Sequence, residues 1–131
     1  MIRMTIINPA DLAKPLGFNH GVVAQGRLLF VAGQVGWNAE ARFESDRFLD
    51  QFDQALANVL AVVRDAGGQP ESIARLTIYV VDKREYFRVQ REVGERYRTR
   101  MGKYFPAMTL VEVSALLEPR AKVEIEATAV I

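Results

Sequence analysis

The sequence predicts an α+β fold, a two-layer sandwich in which a mixed six-stranded sheet carries two helices on one face. Two stretches, Ile73 to Val81 and Ala121 to Ile131, alternate apolar and polar residues with period two, as half-buried strands do. Phe48, Phe52, Leu56, Val59 and Val63 instead recur at steps of three or four, the spacing of one helix face. Between the two alternating stretches, Tyr86, Val89, Val93, Tyr97 and Met101 repeat that helical spacing. No repeat, linker or low-complexity tract interrupts the chain, so residues 1–131 read as a single domain.

Taken in order, a first strand precedes the segment from Gly21 to Ala32, which holds two apolar runs divided by Gln25-Gly26-Arg27. A glycine between β-rich runs predicts a hairpin there. Gly33-Gln34 ends the second run, and the polar stretch from Gly36 to Ser45 is loop. Ser45 or Asp46 is placed to cap the first helix, and Gly67-Gly68 to stop it. On the next strand Arg75, Thr77 and Tyr79 point one way and Leu76, Ile78 and Val80 the other. Asp82 with Glu85 forms a capping-box pattern for the second helix. Gly94 inside that helix costs about 1 kcal/mol against Ala, which predicts close backbone packing against the sheet. After Pro106, Ala107 to Val113 reads as a strand with apolar side chains on both faces, Met108 and Leu110 opposite Ala107, Val111 and Val113. A sheet face left bare by the helices and still apolar predicts oligomerisation.

The composition excludes several function classes. With no Cys and one His, thiol nucleophiles, disulfides, thiolate metal centres and a multi-histidine site within one chain are ruled out. A net charge of +1 argues against a dedicated nucleic-acid or anionic-membrane binder. Neither a signal-peptide core nor an apolar run near the ~20 residues of a membrane span occurs, so a cytoplasmic protein is expected. Gly33-Gln34-Val35-Gly36 lacks the third glycine of a dinucleotide fingerprint, and no Walker-type loop exists. A triad would have to join His20 to Ser45, Ser72 or Ser114, none of which sits in a nucleophile turn. The basic cluster of Arg84, Arg88, Arg91, Arg96, Arg98, Arg100 and Lys103 is interleaved with Glu85, Glu92 and Glu95, which reads as an ion-paired helix face rather than an RNA surface.

A set of short marks runs the length of the chain: Asn8-Pro9, Pro15-Leu16-Gly17, Ala32-Gly33-Gln34, Gln54-Ala55-Leu56-Ala57-Asn58-Val59 and Ala66-Gly67-Gly68, then Phe105-Pro106-Ala107, Val111-Glu112-Val113 and Val123-Glu124-Ile125-Glu126-Ala127. In this order and spacing the sequence resembles the RidA/YjgF family, also described as endoribonuclease L-PSP. The resemblance implies the chorismate-mutase-like sandwich, a homotrimer with a central β-barrel, and a small-molecule cleft at each subunit boundary. It also implies enamine/imine deaminase chemistry, the hydrolysis of reactive imines to a keto acid and ammonium without cofactor or metal.

Carried over position by position, the resemblance is uneven. Glu124 matches the acidic residue placed near the attacking water and is the candidate catalytic group. The substrate-binding positions fall on Asn19, His20, Ala32, Gly33, Gln34, Met108 and Thr109, where the family's pattern has a tyrosine at 19, a serine at 20, a serine at 32 and an arginine at 108. A thioether cannot form the bidentate guanidinium–carboxylate pair. A hydrogen bond to a charged group is worth about 1.5–3 kcal/mol, so α-imino acids should bind at least ~10-fold more weakly. Met108 and Leu110, with Trp37 and Phe18, favour a flatter or more apolar substrate, and Arg75 and Arg120 are candidate replacement cations. Three readings stay open. The chain is an imine or enamine hydrolase with a non-standard substrate, a non-catalytic trimer that binds a metabolite or protein, or an endoribonuclease, the last disfavoured by charge.

Overall fold

In the computed structural model, residues 3–131 are described. The strands are β1 (Arg3–Ile7), β2 (Gly21–Gln25), β3 (Leu28–Val35), β4 (Ile73–Val80), β5 (Ala107–Glu112) and β6 (Val123–Val130). The helices are α1 (Phe48–Asp65), α2 (Lys83–Arg88) and α3 (Gln90–Met101), with a single 3-10 turn at Pro70–Ser72. The α+β two-layer architecture is the expected one, but the six strands divide into an antiparallel β1–β2 ribbon and a four-stranded sheet ordered β3-β6-β4-β5. In that sheet β4 and β5 are parallel and the other pairs antiparallel.

Helix α1 forms where its apolar stripe is widest. Phe48, Phe52, Ala55, Leu56, Val59, Leu60 and Val63 are all buried against β3 and β6, each large side chain contributing about 1.5–3 kcal/mol. The facing sheet surface supplies Val31, Ile73, Leu76, Ile78, Val123 and Ile125. Two close approaches fix the layers. A Cβ on Gly36 would stand 2.6 Å from both Cα and the carbonyl oxygen of Gln51, so the end of β3 passes directly over α1. The buried Gln51 side chain donates from Nε2 to the carbonyls of Ser45 (3.0 Å) and Arg120 (3.1 Å) and accepts from the Lys122 N–H (2.8 Å), tying the loop before β6 to the helix.

Four local expectations are corrected. The hairpin at Gln25-Gly26-Arg27 does not form: β2 pairs with β1, and Arg27 and Ile131 exchange both backbone hydrogen bonds, which commits β3 to β6. Gly26, at φ +148°, is required because a side chain there would meet Val130 at 2.7 Å. The second helix is two helices, broken at Val89 (φ −124°, ψ 23°), although Val93, Tyr97 and Met101 are buried as the stripe requires. Helix α1 begins after Arg47, which is its N-cap, so neither Ser45 nor Asp46 caps it; Ser45, two positions before the cap, accepts from the Arg47 N–H and donates to Asp50. Gly94 does not pack against the sheet; the nearest group to a Cβ there is the Arg98 guanidinium, at 3.4 Å.

No helix among the described residues is long and apolar enough to cross a membrane. The basic cluster is largely ion-paired, with Arg84 on Asp82, Arg91 on Glu95, and Arg96 and Arg100 both on Asp53.

Candidate functional site

Residues side by side across a sheet share a face, and this rule separates the sequence-predicted site into two surfaces. Met108 is opposite Leu76 and Leu110 opposite Ile78, both core residues, so Met108 and Leu110 face the helices. Thr109 is opposite Thr77, which is opposite Glu126, and Tyr79 is opposite Glu124; these side chains face away from the helices. Met108 and Glu124 therefore lie on opposite faces of the sheet within one chain.

The outer face is organised around a bulge. Between Val31 and Gln34, β3 carries one residue more than β6, which leaves Ala32 and Gly33 exposed at the irregularity. A Cβ on Gly33 would overlap Glu124 Oε2 and stand 2.8 Å from its Cδ and 3.0 Å from its Cγ. The Glu124 carboxylate thus lies directly over the Gly33 backbone, a position only glycine permits. The neighbouring Glu126 accepts from the Tyr79 hydroxyl at 2.5 Å, and this bond holds the Tyr79 proton on, above the usual phenol pKa. Glu126 is thereby engaged, whereas Glu124 has no hydrogen-bond donor among the described residues. Gln34 donates to the Ala32 carbonyl across the bulge at 3.1 Å.

Asn19 and His20 occupy a different position. The Asn19 N–H donates to Pro106 O (3.1 Å), its side-chain amide to Phe105 O (2.5 Å), and its side-chain oxygen accepts from Asn8. The His20 N–H donates to Asn8 Oδ1 at 2.8 Å, and Nε2 donates to Ala13 O at 2.7 Å. Since a carbonyl can only accept, Nε2 carries a proton. Both residues hold the 8–20 loop against the start of β5, beside the mouth of the helix-face cleft.

That cleft has a volume of about 330 Å³ and is bounded by Leu16 and Gly17 of the loop, Tyr86 of α2, Gln90, Gly94 and Arg98 of α3, and Phe105, Met108 and Leu110 around β5. Its floor includes the stack of Tyr97 on Phe105, ring centroids 5.2 Å apart and nearly parallel. The Tyr97 hydroxyl donates to the Tyr104 carbonyl, and burial pushes its pKa well above the phenol range. Tyr104, also desolvated, is pushed up to about 12. Both are neutral donors at any physiological pH.

Neither proposed replacement cation lies in this cleft. Arg75 is on the outer face opposite Thr128, and Arg120 is bound to Asp46 at 2.7 Å and lies over the Phe43 ring, which also contacts Trp37. Phe18 packs edge-on against His20. The cation that does line the cleft is Arg98. Its signal in the sequence was faint: an arginine four residues after a helical glycine, with Met101 and Gly102 rather than acids at the next helical positions. Among the described residues no group of three or more His, Asp or Glu side chains could hold a metal ion.

The fold and these surfaces define a class: a small α+β sandwich with an apolar cleft under its helices and an acidic, otherwise bare, outer sheet face. The chain belongs to the endoribonuclease L-PSP family, also known as RidA/YjgF, whose pattern it matches over residues 10–131. It is 34% identical over 122 residues to a RutC family protein of Aquifex aeolicus, covering 88% of this chain and 90% of the relative. It is 33% identical over 105 residues to the 2-iminobutanoate/2-iminopropanoate deaminase of Escherichia coli, covering 80% of each. Among solved structures, YyfB of Yersinia pestis, a Rid-family protein of unknown function, superposes with a TM-score of 0.84 at 34% identity, covering 98% of both chains. Escherichia coli TdcF with bound serine superposes with a TM-score of 0.70 at 26% identity, covering 97% of this chain and 98% of that one.

Proposed function

We propose that this protein is an imine or enamine hydrolase of the RidA type, acting on a small molecule other than the standard short α-imino acids and assembled as a homotrimer through its outer sheet faces. The observation that carries the reading is the Glu124 carboxylate, held over Gly33 and free of donors while its neighbour Glu126 is engaged. A carboxylate so placed can take a proton from water as the water oxygen adds to the C=N carbon. With the imine in its protonated form, that proton, returned to the carbinolamine nitrogen, makes ammonia the leaving group; as the C–N bond breaks, the hydroxyl proton passes to the departing ammonia, giving a carbonyl product and ammonium. Relatives named as 2-iminobutanoate/2-iminopropanoate deaminases support the reaction class. A neighbour that holds serine supports a ligand of amino-acid size.

Homotrimer formation is part of the proposal because one chain puts the cleft and the carboxylate on opposite sheet faces. Apposed chains can bring one subunit's cleft to another's outer face. The exposed Leu28 and Phe30, the latter 73% exposed, give that face apolar surface to bury. The opposite facing of Met108 and Glu124 also favours a second reading, a trimer that binds a metabolite without turning it over. Ammonium release separates the two. Imines generated in situ by an amino-acid oxidase, alanine- and leucine-derived beside one without a carboxylate, should show turnover of the last and a gain on the first two in Met108→Arg. No acceleration of any imine by either protein would leave the binding reading.

A further inference from the structure

We infer that the helix-face cleft is a binding site for an apolar or aromatic monocarboxylate, whose carboxylate pairs with Arg98. Three observations converge on it. Of the four arginines on α3, Arg91, Arg96 and Arg100 have carboxylate partners, while Arg98, at the cleft wall, pairs with no acidic side chain among the described residues. Its guanidinium is directed back along the helix to lie over Gly94, where a Cβ would stand 3.4 Å from it. Gly94 and Arg98 both line the cleft, so this orientation keeps the guanidinium at its wall. Finally, apart from Gln90, the rest of the wall is apolar and aromatic, with Phe105 on Tyr97 beside Met108 and Leu110. A free guanidinium at the edge of an apolar cavity matches one ligand chemistry, a flat or aliphatic body ending in a single carboxylate.

Arg98 approaches from the helix wall, not from β5, so it would hold a carboxylate at a different place from an arginine at position 108. In naming a substrate class, this rests on the hydrolase reading above: an imine whose carboxylate is separated from the C=N carbon by an apolar body. The binding test does not depend on that reading. 3-Phenylpropionate and its uncharged amide are titrated into the protein by calorimetry, with wild type, Arg98→Gln and, as a charge control on the same helix, Arg91→Gln. The acid should bind wild type at least ten-fold more tightly than the amide. Arg98→Gln should abolish that preference, and Arg91→Gln should retain it. Equal binding of acid and amide by wild type, absence of binding by both, or an unchanged preference in Arg98→Gln would overturn the site. Should Arg98→Gln fail to fold, Arg98→Lys, which keeps the charge but loses the planar fork, should weaken the acid selectively. Loss of ammonium release with retained 3-phenylpropionate binding would count against the hydrolase reading alone.

Discussion

Replacing Gly33 with alanine is a substitution of one methyl group on an exposed stretch of backbone, and it should disable turnover while sparing the fold. The new Cβ would stand 2.8 Å from Glu124 Cδ and overlap Oε2. Carbon atoms settle at about 3.5–4.0 Å, so the carboxylate must retreat by roughly 1 Å. The obstructing group is the end of a flexible side chain on an open face, and the stability cost should stay within about 1 kcal/mol. Catalysis is less forgiving, since a 1 Å misplacement of a reacting group can cost about 100-fold. The assay is ammonium release at saturating imine beside a thermal melt of the same preparation. A drop near 100-fold in turnover with a melting temperature within a few degrees of wild type is expected. Wild-type turnover in a folded Gly33→Ala protein would refute the argument that Gly33 exists to seat Glu124.

Gly36→Ala should behave in the opposite way, because its Cβ would meet the Gln51 backbone, which cannot move aside; a loss of about 3 kcal/mol, the upper end of overpacking costs, is expected in denaturant titration. Asp53→Asn should destabilise at neutral pH by about 1–2 kcal/mol, since Asp53 accepts from Arg100 at 2.7 and 3.0 Å and pairs with Arg96. The Arg100 hydrogen bond, chiefly, holds the Asp53 carboxyl below its ordinary 3.8 against the opposing effect of burial. Its stabilisation is therefore complete above the unfolded pKa and is lost as pH falls through the lower folded value. Melts from pH 7 down to pH 2 should show the wild-type and Asp53→Asn curves converging only at the acid end. Phe30→Glu should shift the protein toward monomer in sedimentation, because Phe30 is 73% exposed on the outer face; an unchanged sedimentation coefficient would place the subunit contact elsewhere.

Much of this fold is written in local periodicity. The stripe from Phe48 to Val63 and the alternation along β4 and β6 report burial directly, and each of those elements is where its pattern puts it. The β2–β3 junction was not legible, because Gly26 resembles a hairpin turn while its physical reason is the packing of Val130 and Ile131 from the far end of the chain. The break at Val89 has no glycine or proline to announce it. For the site, alternation alone already separates Met108 from Thr109 across β5, and Glu124 could be named from the family's pattern. What the sequence withheld was the pairing of the two. Only the sheet register shows that Met108 and Glu124 face apart, and only the helix α3 ion pairs show that Arg98 is the arginine left over.

The most direct test of the account is ammonium release by wild type and Glu124→Gln across a panel of imines that includes one with an aromatic body and a remote carboxylate. Wild type should accelerate at least that imine, and Glu124→Gln should lose 100-fold or more in turnover, about the loss of a positioned general base. Equal rates for the two proteins on every accepted imine would contradict it.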